Sequence, residues 1–239
     1  MLDMGFLPQI KAIVDFLKPA RQTLLWSATW PDDVNELSTK LCKNRPITIK
    51  VGDDGLTINT AITQHILIVD ENDKKKELIK ILRSHVTNES DKVLIFSATK
   101  RNCETLAETL EKEGFTALTI HGDKHQTQRE KVMDDFRGKA SILIATDVAS
   151  RGLDVKNIKA VINFDFPSSI EDYIHRIGRT GRAGALGESF TFFTSKDGNH
   201  SKGLCEVAIN STRFSGELIK LSQRSFLTLA EVVLEVETF

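Results

Sequence analysis

The sequence predicts an α/β protein built on an open, mostly parallel sheet with helices on both faces. Two observations carry that prediction. From Ile62 onward, short uninterrupted apolar runs alternate with amphipathic segments of helical period, as expected for strands buried on both sides and joined by crossover helices. Polar clusters then follow the apolar runs directly, where ligands of open α/β sheets bind beyond the strands' C-terminal ends.

In chain order, Phe6, Ile10, Ile13, Val14 and Leu17 have helical spacing, which Pro19 stops. Gln22 to Trp26 reads as a short buried strand. Pro31, Asp32 and Asp33 suit the first turn of a helix to about Leu41, and Ile47 to Val51 reads as another strand. These pieces do not supply a complete sheet. Residues 1–51 are expected to be the end of one domain, with 52–61, opened by Gly52-Asp53-Asp54-Gly55, as a linker. Residues 62–195 carry the alternation. Ile66–Val69 precedes a Lys74–His85 helix, Val93–Phe96 an Arg101–Glu113 helix, and Ala117–Ile120 a Gln126–Phe136 helix. Ile142–Ala145 leads into a turn region, Val161–Phe164 into a helix near Ser168, and Phe190–Phe193 closes the series. Ser195–Ser211 reads as polar and irregular, Arg213–Leu221 as helical, and 196–239 as a divergent tail.

Composition narrows the function classes. Net charge is −1 over 239 residues, so nucleic acid would have to be held by a local groove and not by a global field. Cys42, Cys103 and Cys205 are scattered without a C-x-x-C pair, which indicates neither a zinc site nor a disulfide framework. No run approaches the roughly 20 apolar residues of a membrane span, and the N-terminus does not read as a signal peptide. The expectation is a soluble, intracellular protein of nucleus or cytoplasm that does not engage membranes.

The most informative stretch is His175-Arg176-Ile177-Gly178-Arg179-Thr180-Gly181-Arg182. Ser168 and Glu171 have capping-box spacing. Ile170, Tyr173, Ile174 and Ile177 then form one helical face, so His175 and Arg179 point elsewhere. Gly178 or Gly181 is expected to end the helix, leaving Arg179 and Arg182 on a tight turn. Three guanidinium groups with no carboxylate among them suit phosphate. Further clusters follow other strands: Thr99-Lys100-Arg101, His121-Gly122-Asp123 with Gln126 and Arg129, and Thr146-Asp147 before Arg151-Gly152-Leu153-Asp154.

Together, Ser27-Ala28-Thr29, Ala145-Thr146-Asp147-Val148-Ala149-Ser150-Arg151-Gly152-Leu153-Asp154 and His175 to Gly184 closely resemble the motifs of the DEAD-box RNA helicases. The resemblance spans roughly residues 1–195, and Trp26 and Trp30-Pro31 point to the p68-like subgroup. It implies a RecA-like second domain, preceded by the C-terminal remnant of a first RecA-like, ATP-binding domain. It implies that Arg179 and Arg182 are catalytic and reach the ATP γ-phosphate, where charge spreads over the equatorial oxygens in the transition state. Asp154 would bind the ribose. Ser27, Thr29 and His175 would couple the two domains. Thr99, Arg101, His121, Gly122, Gln126, Arg129 and Thr146 would line the RNA backbone, since short polar groups and arginines suit phosphate and carry little sequence information. Arg101 and Arg129 could alternatively pair with Glu104 and Glu130 on their own helices.

ATP and Mg²⁺ are the implied cofactors of the complete enzyme, which unwinds RNA duplexes locally and remodels RNA–protein complexes. No G-K-[S/T] phosphate loop and no Asp-Glu-Ala-Asp occur in this sequence, and Met1 falls just where the family continues after the latter motif. The chain alone is therefore expected to hold neither ATP nor Mg²⁺, to need the first RecA-like domain as a partner, and to have negligible ATPase activity. The alternative reading is a non-catalytic RNA-binding or interfering fragment. A DNA-acting relative of the wider superfamily is disfavoured by the pairing of Ser27-Ala28-Thr29 with His175 to Arg182.

Overall fold

Alternation along the strand β2 (Lys92–Phe96) sets the layering of the main unit. Val93 and Ile95 pack into one apolar cluster and Leu94 and Phe96 into another, because successive strand side chains leave opposite faces of a sheet. A strand buried on both faces needs a helical layer on each, and the chain supplies both. The structure, a computed structural model, describes residues 7–27, 30, 32–42, 46–49, 59–88, 90–147, 155, 157–209 and 214–216. It divides into two compact units, Met1–Leu56 and Thr57–Phe239.

In the larger unit the strands are β1 (Ile62–Ile68), β2 (Lys92–Phe96), β3 (Ala117–Ile120), β4 (Ile142–Ala145), β5 (Ile158–Asn163), β6 (Gly187–Phe193) and β7 (Phe214–Gly216). All pair in parallel, in the order β3-β4-β2-β5-β6-β1-β7. Helices α3 (Lys74–His85) and α4 (Lys100–Lys112) cover one face through Leu78, Leu82, Leu106 and Leu110. Helix α5 (Gln126–Gly138) packs Met133 and Phe136 on the other. That face continues over β1 and β6 through Tyr173 and Ile177 of α6 (Ile170–Ile177) and Leu204 and Val207 of α7 (Ser201–Ile209). From β2 the chain turns towards β4 and β3, and from β5 towards β6. The β2/β5 junction is therefore the topological switch point, outside whose C-terminal ends a crevice forms.

Four expectations are corrected. Ser169, not Ser168, caps α6: its backbone is extended and its hydroxyl accepts from Asp172 N at 3.1 Å, while Ser168 donates to the Asp172 carboxylate. Ser195–Ser211 is not irregular through its described part; a 3₁₀ turn (Ser195–His200) leads into α7. Gly203 hides that helix in the sequence but lets it pack, since a Cβ there would lie 2.6 Å from Ile170 Cγ1. Within the expected Arg213–Leu221 helix, Phe214–Gly216 is instead a strand on β1, and 217–239 lie outside the described residues.

The fourth concerns the smaller unit, with helices α1 (Leu7–Asp15) and α2 (Asp32–Leu41). Residues 22–26 and 46–49 form no strand. A strand exists only when its N–H and C=O groups find a second strand, and the described residues of this unit provide none. The apolar groups that suggested strands are exposed, with Trp26 at 84% and Ile47 at 90%, and α1 buries no residue.

Candidate nucleic-acid and nucleotide interface

The ends of β3, β4 and β2 lie side by side, because these strands are neighbours in the sheet. Loop amides extend the ladder past the strands, Ser97 N donating to Ala145 O at 3.0 Å and Thr146 N to Ile120 O at 3.3 Å. Thr99, His121-Gly122 and Thr146 are thereby brought to one edge of the sheet. Thr99 is the N-cap of α4 and accepts from Asn102 N at 3.1 Å. That bond fixes the loop and leaves the hydroxyl hydrogen available to a ligand. Arg101, in the first turn of α4, is exposed. Gly122 has open space where a Cβ would stand, so no packing demands glycine there, and its backbone is open to close approach.

His121 departs from a simple contact role. It is buried, and its Nε2 lies 2.8 Å from Glu104 Oε1. Burial pushes the Glu104 carboxyl up, but Thr119 Oγ1, His121 and Lys124 outweigh this and hold it below the usual carboxylate range. Glu104 therefore anchors the β3 end, and Arg101 is not its partner. Lys100 and Asp123 join the β2 and β3 loops by an exposed pair at 2.5 Å. Gln126 donates to Glu130 at 2.9 Å along α5. Arg129 is half-buried on the same helix.

The arginine stretch splits into two roles. Arg176 is not available to a ligand. It is buried, forms paired 2.6 Å bonds to both Asp147 oxygens, donates to Asp165 O at 2.7 Å and lies over the Phe96 ring. Arg179 and Arg182 sit on the turn beyond the helix, which Gly178 terminates. That turn is tightly held. Thr180, itself buried, donates to Ile158 O, and Asn59 Nδ2 donates to Gly181 O at 2.6 Å. Gly181 has φ +67, a left-handed conformation that favours glycine. Arg182 is exposed, and its Nε donates to Gly178 O at 2.8 Å. His175 is exposed on α6, and Ser27 is exposed in the smaller unit. Thr29 and Asp154, with Arg151 to Leu153, lie outside the described residues.

Four residues hold this edge: sequence reading missed Asp165 and Lys74, and named Glu104 and Asp147 without this role. Asp165 follows the β5 apolar run directly, a position that could have flagged it. The partners of the other three come from distant segments. Among the described residues, no group of three histidine, cysteine or acidic side chains could hold a metal ion, and no helix is long and apolar enough to cross a membrane.

Comparison with known proteins bears on the family and the fold. Residues 73–184 match the helicase conserved C-terminal domain. The ATP-dependent RNA helicase DBP2 of Candida albicans is 47% identical over 228 residues, covering 95% of this chain and 40% of that protein. The chain thus spans about two fifths of the length of such relatives. Among solved structures, the S. cerevisiae protein Dbp5 bound to RNA and ADP BeF₃ superposes with a TM-score of 0.75 at 28% identity, covering 89% of this chain and 55% of that one. The C-terminal domain of the DEAD-box protein Dbp5 gives 0.57 at 32% identity, covering 66% of this chain and 90% of that one.

Proposed function

Because the chain belongs to the DEAD-box ATP-dependent RNA helicase family and carries its C-terminal helicase domain, we propose that it supplies the second half of an RNA clamp. Its strand-end edge takes the backbone of single-stranded RNA, and its arginine turn faces the phosphates of ATP held by a first RecA-like domain. The observation that carries this reading is the juxtaposition of Thr99, Gly122 and Thr146 on adjacent strand ends. Backbone amides, hydroxyls and Arg101 and Arg129 at such an edge bind phosphate oxygens without reading bases.

Arg179 and Arg182 act on the nucleotide. Each is a permanent cation, and the buried Thr180 fixes the turn between them. A guanidinium held in place before the reaction stabilises charge spreading over a transferring phosphoryl group and needs little reorganisation to do so. Asp154 contacts the ribose, while Ser27, Thr29 and His175 couple the two domains. The nucleotide, its Mg²⁺ and the attacking water belong to the other half of the clamp, since this chain carries no G-K-[S/T] loop. Duplex unwinding is then a property of the two halves together, and the chain by itself binds RNA weakly.

The test is binding of a single-stranded RNA to the purified chain across a salt series, with and without ATP and Mg²⁺. Salt-sensitive binding indifferent to ATP is expected. Binding tightened by ATP, or turnover abolished by Arg182→Ala, would mean that this chain builds its own nucleotide site. Salt-independent binding, or none, would remove the RNA reading.

A further inference from the structure

Asp165 occupies the switch point itself. It follows β5, and its carboxylate crosses to the neighbouring β2 loop, Oδ2 accepting from Ser97 Oγ and Ala98 N, both at 2.8 Å. The other oxygen lies 3.2 Å from Lys74 Nζ. Lys74 is almost fully buried, at 4% exposure, and is also paired with Glu71 at 2.9 Å. Burial pushes the Lys74 ammonium down, but the two carboxylates outweigh it and raise its pKa above the usual lysine value. On the opposite side, the Asp165 carbonyl receives the Arg176 guanidinium, which also grips Asp147 at the end of β4. One residue thus ties the loop that leads into Thr99 and Arg101 to the helix that leads into Arg179 and Arg182.

We infer that Asp165, with Lys74 as its counter-charge, is a positioning residue that holds the Thr99–Arg101 loop in register for an RNA phosphate. It touches no ligand. The inference rests on the RNA reading above and adds a residue outside the motifs that suggested it. A buried ion pair of this kind is weak grounds for stability in itself. Its more specific consequence is geometric, because both carboxylate oxygens of Asp165 accept from named donors.

The Asp165→Asn change makes the test sharp. In either orientation of the amide, its NH₂ faces a donor: the Lys74 ammonium, or Ser97 and Ala98. Adding Lys74→Met removes one of the two conflicts and lets the amide oxygen accept from Ser97 and Ala98. In the full chain, with a uridine oligonucleotide, D165N should reduce the slope of log affinity against log salt by roughly 0.7, one phosphate contact on a single strand. R101Q added to D165N should lower the slope no further, and K74M/D165N should restore it. Simple destabilisation lowers the thermal midpoint and the active fraction but leaves the slope alone. An unchanged D165N slope, or no rescue by K74M, would therefore overturn the inference. Amide exchange without RNA separates it from the reading it rests on. Loosening confined to Ala98–Asn102 in D165N upholds the hold of Asp165 on that segment even if the wild-type chain binds no RNA, and unchanged exchange there sinks it.

Discussion

Asp91 illustrates how much a single side chain is set by its donors. Its carboxylate is 11% exposed, and burial alone would push its pKa up. Thr87 N and Oγ1, Lys159 Nζ and Asn88 N all donate to it, at 3.0, 2.8, 3.1 and 3.2 Å, and together hold it down at about 2. The folded value lies below the ordinary 3.8, so the unfolded chain binds the proton more readily. The stabilisation, about 2 kcal/mol, is complete above about pH 5 and is lost as pH falls through about 2. Asp91→Asn should flatten the pH dependence of the urea midpoint across that window. An unaltered profile would show that the donors are not holding the charged form. The same scale explains the arginines. In the sequence, Arg176 stands beside Arg179 and Arg182 as a cation without an assigned partner. Asp147, 29 residues from Arg176, supplies that partner, and Arg176 is buried.

At the scale of elements, α6 links packing to chemistry. Its apolar spacing was legible, and Tyr173 and Ile177 are buried where Ile170 and Ile174 pack beside them. Its start was not. Two adjacent serines compete for the cap, and the choice depends on how the chain leaves β5 through Phe166 and Pro167. Ser169→Ala should cost about 1 kcal/mol, seen as a fall of about 3 °C in the midpoint of the larger unit. Ser168→Ala should cost much less, and equal losses from the two would contradict the cap assignment. Helix α7 and the short β7 were misread for a related reason. Glycines at 198 and 203 and the polar run between β6 and α7 mask a helix whose Leu204, Cys205 and Val207 find cover only in the assembled sheet.

The whole molecule divides into units of different character. In the larger one, two layers of helix bury the central strands β2 and β4 completely, and Val93, Leu94, Ile95 and Phe96 are each 0% exposed. In Met1–Leu56, only Ser38 among the described residues is buried. A helix of nine residues with no buried face has little to stabilise it. Both tryptophans of the chain, Trp26 and Trp30, belong to this unit and are exposed, so they report on it alone. Tryptophan emission of the purified chain should already be that of solvated indole and should change little in denaturant. Far-ultraviolet circular dichroism should show a cooperative transition from the larger unit. A blue-shifted native emission that collapses together with the dichroism would mean that the smaller unit packs cooperatively after all.

The sequence by itself determined the class of fold, the order of strands and helices from β1 to β6, and the family. Each of these rests on local signals: buried runs bounded by helical periods, and motifs whose residues are contiguous. Ile142–Ala145 could be read to the residue because its apolar run coincides with its burial. Tertiary structure alone decided that Arg176 is buried against Asp147, that Asp165 rather than a motif residue bridges β2 and β5, and that the apolar runs of the first 51 residues form no strands within 22–26 or 46–49. Those outcomes depend on pairings between segments tens of residues apart. Neither an ion pair nor a strand is a property of one segment, because each exists only when its partner arrives.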